Sequence, residues 1–121
     1  MIKKIYRLKE REVKKVLKRW KPFFSYWIVL NKTINNLNYN RFWVIIWKKS
    51  VNNNVTRNFF RRRFFDLSSE YIFLSNKEKW YDLVFVVKKQ TKLNMKNEEN
   101  LYNFKKDLNF LLNKTLNKWK K

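Results

Sequence analysis

The chain has 121 residues, the length of one domain, with 30 Lys and Arg against 9 Asp and Glu and a formal net charge of +21. It contains no Cys and no His, which excludes disulfides, thiolate or imidazole metal sites, and Cys- or His-based catalysis. So large a positive excess makes the compact state repel itself unless a polyanion is bound, so the expected partner class is RNA, DNA or an anionic membrane.

Residues 8–20 place Val13, Val16, Leu17 and Trp20 at i, i+3, i+4 and i+7, one face of a helix, with Lys14, Lys15, Lys18 and Arg19 on the others. Pro22 stops it. Residues 23–31 are rich in aromatic and β-branched types and read as a strand. The Asn-heavy stretch 31–40 reads as a loop between antiparallel strands, and 41–47 as the second strand. Residues 52–66 read as a helix, with Asn52, Asn53 or Asn54 as its N-cap. At 100° per residue Thr56, Phe60, Phe64 and Leu67 fall on one face and pack on the sheet. Asn58, Arg61, Arg62 and Phe65 fall on the opposite face, with Arg57 and Arg63 at the flanks. Tyr71 to Leu74 reads as a short strand or a packed loop. Residues 81–88 form a nearly continuous apolar run, as suits a central strand buried on both faces. Residues 98–118 repeat apolar side chains at Leu101, Phe104, Leu108, Leu111, Leu112 and Leu116, a long amphipathic helix. The order α-β-β-α-β-α predicts a single α+β domain over 1–121, a small mixed sheet with helices packed on it. The strand–helix–strand unit over 41–88 is a crossover, right-handed by default.

The block Arg41 to Arg63 concentrates the charge. From Lys48 to Arg63 there are six positive residues and no acid, and the arginines are carried by a helix whose back is anchored. Guanidinium forks at that spacing suit phosphate oxygens. The acids are scattered, at Glu10, Glu12, Asp66, Glu70, Glu78, Asp82, Glu98, Glu99 and Asp107, and form no recognisable active site. The longest apolar run, Phe23 to Leu30, is eight residues and includes Ser25, whereas a spanning helix needs about 20. The N-terminus lacks the apolar core of a secretory signal. The reading is a cytoplasmic protein.

The segments Arg7-Leu8-Lys9 with Val16-Leu17-Lys18-Arg19, Ile28-Val29-Leu30, Lys48-Lys49, Val55-Thr56-Arg57-Asn58-Phe59-Phe60-Arg61-Arg62 and Tyr81-Asp82-Leu83-Val84-Phe85-Val86 stand in the order seen in one family. Together with the last helix they resemble the protein subunit of bacterial ribonuclease P over nearly the whole chain, apart from 67–79. The resemblance implies a ribosomal-protein-like α/β sandwich with an unusual left-handed crossover. It implies a catalytic RNA subunit and precursor tRNA as partners, with Mg2+ bound mainly by the RNA, which performs 5′ leader removal. The protein itself would be a monomer with no catalytic residue, no metal ligand and no membrane partner. Carried over by position, Lys48, Lys49, Arg57, Asn58, Arg61, Arg62 and Arg63 are the RNA-binding residues. Val13, Leu17, Ile28 and Asn31 line up with a cleft for the 5′ leader. The alternative role of Lys48 and Lys49 is protection of a strand edge, and that of Val13, Val16 and Leu17 is core packing. Phe59 and Phe65 stand where the family commonly carries basic residues, either stacking on RNA or packing on a neighbour. The alternative reading is a structural ribosomal protein binding rRNA.

Glycine is absent, although about eight would be usual at roughly 7% usage. There are six Trp. Trp20 ends a helix where a glycine is expected. Trp43 and Trp47 fall where the family commonly has Gly or a small residue, and Trp80 sits where a turn glycine fits. These positions suggest UGA codons that the organism reads as glycine, in an A+T-rich gene; UGG at Trp20, Trp43, Trp47 and Trp80 would exclude this.

Overall fold

Residues 3–18, 22–25, 27–47, 53–74, 79–88, 93–94 and 96–116 are described by the computed structural model. Lys48, Lys49, Trp20 and Trp119 lie outside the described residues. Helix α1 spans Glu10–Lys18, β1 Phe23–Phe24, β2 Ile28–Asn35, β3 Arg41–Ile45, α2 Asn54–Ser68, β4 Trp80–Val87 and α3 Glu98–Leu116. The strands form one mixed sheet in the order β1-β2-β4-β3, with β3 parallel to β4 and the other pairs antiparallel.

The α+β architecture and the chain order agree with the sequence reading; three local points do not. The strand expected over 23–31 is broken into a hairpin, because Ser25 closes a turn: its N–H donates to Ile28 O at 2.8 Å, and Ile28 N–H donates to Ser25 Oγ at 3.3 Å. The stretch 31–40 is not all loop. Asn31 to Asn35 continue β2, each paired with a residue of β4 between Val84 and Trp80. Finally, β2 and β3 are not neighbours, since β4 lies between them and supplies both with ladder hydrogen bonds.

In a chain without glycine the turn over 36–40 is built by asparagines. Asn38 takes φ 63°, a left-handed conformation that Asn tolerates better than most residues. Asn35 Oδ1 accepts from Leu37 N–H at 2.9 Å. Asn40 is fully buried and donates through Nδ2 to Tyr71 O at 2.7 Å and Leu74 O at 2.8 Å, while its Oδ1 accepts from Tyr81 N–H at 2.9 Å. That one side chain ties the packed loop after α2 to the start of β4. Trp27, Trp43, Trp47 and Trp80 are not at positive φ, so their backbones are accessible to any residue.

Strand alternation divides the sheet into two faces. Leu30, Phe42, Val44, Leu83, Phe85 and Val87 pack against Phe60 and Phe64 of α2 and Phe104, Leu108 and Leu112 of α3. On the other face Val13 and Val16 of α1 pack on Val84 together with Leu8. Strand β4 is therefore covered on both sides, as its apolar run requires.

Candidate nucleic-acid interface

Helix α2 is capped by Asn53, whose Oδ1 accepts from Val55 N–H at 2.8 Å. This N-cap fixes the helix phase, and burial of Thr56, Phe60 and Phe64 anchors it. Asn58, Arg61 and Arg62 then face outward and meet Arg7, Trp43 and Phe65 in an open groove of about 320 Å³. Arg7 enters because the N-terminal segment adds to β3: Arg7 bridges Phe42, and Leu8 N–H donates to Phe42 O at 3.0 Å. Among the described residues the groove is thus lined by three guanidiniums and no carboxylate.

Arg61 is its most constrained member. Its Nη1 donates to Asn58 Oδ1 at 3.1 Å, and its Cζ lies 5.8 Å from the Trp43 ring. Burial, and then the neighbouring charge of Arg57, push its pKa below the ordinary arginine value. Nε of Arg61 and Nε of Arg7 are buried with no hydrogen-bond partner among the described residues. Arg57 is held by Asn54 Oδ1, one turn back. Arg63 lies apart, 4.7 Å from the Phe59 ring and 3.4 Å from Asp66.

The structure brings together Asn58, Arg61 and Arg62 of the residues expected from sequence, with Arg57 beside them. Arg7 was missed, since nothing local in the sequence shows that the segment before α1 joins β3. Phe65 was placed on the solvent side by the helical wheel, yet it is 1% exposed, because Trp43 and Phe64 cover it at 5.8 and 5.0 Å. Phe59 packs edge-on against Phe60 at 5.3 Å.

A second cleft, of about 370 Å³, opens between α1 and the sheet, lined by Glu12, Lys15, Val16, Lys18, Thr33, Ile34, Arg41 and Asp82. Arg41 organises it. Its Nε and Nη2 donate to the two oxygens of Asp82 at 2.9 and 2.8 Å, and its Nη1 donates to Glu12. The hydrogen bond from Arg41 to Asp82, together with both carboxylate charges, outweighs burial and raises the Arg41 pKa. For Glu12, burial acts upward, but the Lys9 N–H donor at 2.8 Å and the Arg41 charge prevail and lower it. Both carboxylates thereby share one cation of the chain. Of the residues expected here, Val13 is on the buried face of α1, Leu17 of the same helix is 37% exposed, and Asn31 is buried. Ile28 is fully buried in the core on the opposite face of the sheet, because its partner is Val87. None of the four is among the residues lining the cleft. Among the described residues no three acidic side chains gather as metal ligands, and no helix is long and apolar enough to cross a membrane.

A family model described as Ribonuclease P matches residues 2–115. The chain belongs to the ribonuclease P family. A curated relative from Clostridium kluyveri, named Ribonuclease P protein component, is 38% identical over 89 residues, covering 70% of this chain and 76% of that protein. The fold is also that of solved ribonuclease P proteins. The Staphylococcus aureus protein gives a TM-score of 0.70 at 17% identity, over 88% of this chain and 92% of its own. The Thermotoga maritima protein gives 0.67 at 18%, over 89% and 96%. The chain is thus a protein component of ribonuclease P, and the ribosomal alternative receives no support from these relationships. In this ribonuclease P protein the arginine groove is formed by α2, β3 and the N-terminal segment together, while the cleft is formed by α1 and the sheet.

Proposed function

We propose that the α2 groove docks on the phosphates of a catalytic RNA subunit, and that the protein assists that RNA in removing the 5′ leader from precursor tRNA. The observation that carries this reading is the groove itself: Arg7, Arg61 and Arg62 converge, and none of the residues lining it with them is a carboxylate. A phosphate entering there relieves the repulsion between Arg57 and Arg61 and gives the forks the acceptors they are shaped for. Lys48 and Lys49 are assigned to RNA binding by their place in the sequence alone. The leader would pass along the cleft under α1, where Lys15 and Lys18 carry charge and Leu17 offers an exposed apolar edge.

In this scheme the chemistry belongs to the RNA. Mg2+ is assigned to the RNA as well, because Glu12 and Asp82, the acids of the cleft, are already committed to Arg41. The protein acts as a cytoplasmic monomer that positions and neutralises. The test is salt-dependent binding to the RNA subunit. Arg61→Ala with Arg62→Ala should weaken binding and flatten the plot of log affinity against log salt by about 0.9 for each phosphate no longer neutralised. An unchanged slope would show that RNA docks elsewhere.

A further inference from the structure

A second set of cations lies at the other edge of the molecule. Lys114 Nζ of α3 is 5.7 Å from the Phe110 ring and 5.8 Å from the Phe23 ring of β1. Lys32 Nζ of β2 is 4.8 Å from Phe23 and 4.8 Å from Tyr81 of β4. Ring and ammonium thus alternate in one row: Phe110, Lys114, Phe23, Lys32, Tyr81. Burial, and then the neighbouring charge of Lys79, push the Lys32 pKa below the ordinary lysine value. None of the ion pairs among the described residues engages Lys32, Lys79 or Lys114. Asp107, a carboxylate of α3, accepts from Trp27 N–H at 2.8 Å and pins the helix to the β1–β2 turn. The row lies at the β1 edge of the sheet, and the arginine groove at the β3 edge.

We propose that this row is a second RNA-binding surface, which takes a single-stranded segment with phosphates on Lys32, Lys79 and Lys114 and a base stacked on Phe110. Phe110 is 53% exposed and Lys114 is exposed beside it, so both are open to a ligand. Alternating aromatic faces and cations suit a flexible strand that offers a base and a phosphate at each step. A duplex keeps its bases stacked inside and leaves only phosphate for such a surface. A membrane surface calls for the opposite arrangement, a continuous apolar face flanked by lysines. The apolar face of α3, with Phe104, Leu108, Leu111 and Leu112, is already buried in the core.

This inference does not depend on the arginine groove, and its test separates the two. Fluorescence anisotropy is measured with a labelled oligouridylate of about 12 nucleotides, a length that covers one such site. The proteins compared are the parent, Lys114→Gln, Phe110→Ala, and the pair Arg61→Ala with Arg62→Ala. Phe110→Ala should weaken binding about tenfold, and Lys114→Gln should lower the salt slope by about 0.7. Both residues are exposed, and far-UV circular dichroism checks the fold. Should Phe110→Ala unfold the chain, the Lys114→Gln slope decides alone. The proposal is overturned if Lys114→Gln leaves the slope unchanged, or if folded Phe110→Ala binds as the parent does. It is also overturned if the arginine pair alone abolishes oligouridylate binding. Loss of binding to phosphatidylserine vesicles with oligouridylate affinity retained would assign the row to a membrane and overturn it too.

Discussion

Replacing Arg41 with methionine removes the link between α1 and the sheet while keeping most of the side-chain volume. Arg41 is 17% exposed, Asp82 11% and Glu12 25%, so the group is largely but not wholly withdrawn from water. After the substitution Asp82 retains the Asn35 Nδ2 donor at 2.9 Å and has no cation. Breaking a fully buried pair from one side costs about 3–5 kcal/mol. Glu12 can rehydrate, which places the expected loss at the lower end, about 3 kcal/mol. For a domain of this size that is a fall in Tm of roughly 12 °C. Urea titration measures the loss, and a double-mutant cycle with Glu12→Gln measures the coupling across the contact between α1 and the sheet, expected at about 1 kcal/mol. A loss below about 1 kcal/mol, or strict additivity of the two substitutions, would refute the view that this network holds α1 in place.

The lowered pKa of Glu12 sets a pH dependence. Its folded value lies below the usual 4.5, so its stabilisation is fully present above that pH and is lost as pH falls through the folded value. Glu12→Gln should be less stable than the parent near neutrality and should lose less on acidification; parallel stability curves would exclude the linkage. Asn53→Ala removes the cap of α2 and should cost about 1 kcal/mol by denaturant titration, with no change expected only if another group caps Val55 N–H. For the arginine pair, leaving two phosphates without their guanidiniums should make the affinity decline from about 50 to about 200 mM salt roughly tenfold smaller than in the parent.

The helices were legible because their apolar residues repeat at helical spacing and each occupies one face. Asn53 was legible as one of three adjacent asparagines, and only the hydrogen bond to Val55 singles it out. The extent of β2 was not, because Asn31 and Asn35 have low strand preference and are held in the sheet by β4, some 50 residues along the chain. Nor was the neighbour order, since β4 enters between two strands that precede it. In the groove, Asn58, Arg61 and Arg62 followed from helix phase alone. Arg7 and Trp43 depend on how the N-terminal segment and β3 are placed beside α2, and local sequence does not encode that tertiary fact. Phe65 shows the limit of a helical wheel: a residue on the outward side is buried when an adjacent strand presents a large ring to it.

The central claim is that this basic domain serves a catalytic RNA through its arginine groove. The most direct test is reconstitution with the cognate RNA subunit and cleavage of precursor tRNA at low Mg2+ concentration. Leader removal should be faster with the protein than with the RNA alone, and Arg61→Ala with Arg62→Ala should abolish most of that gain. Equal rates with and without the parent protein, or full stimulation by the double variant, would contradict the account.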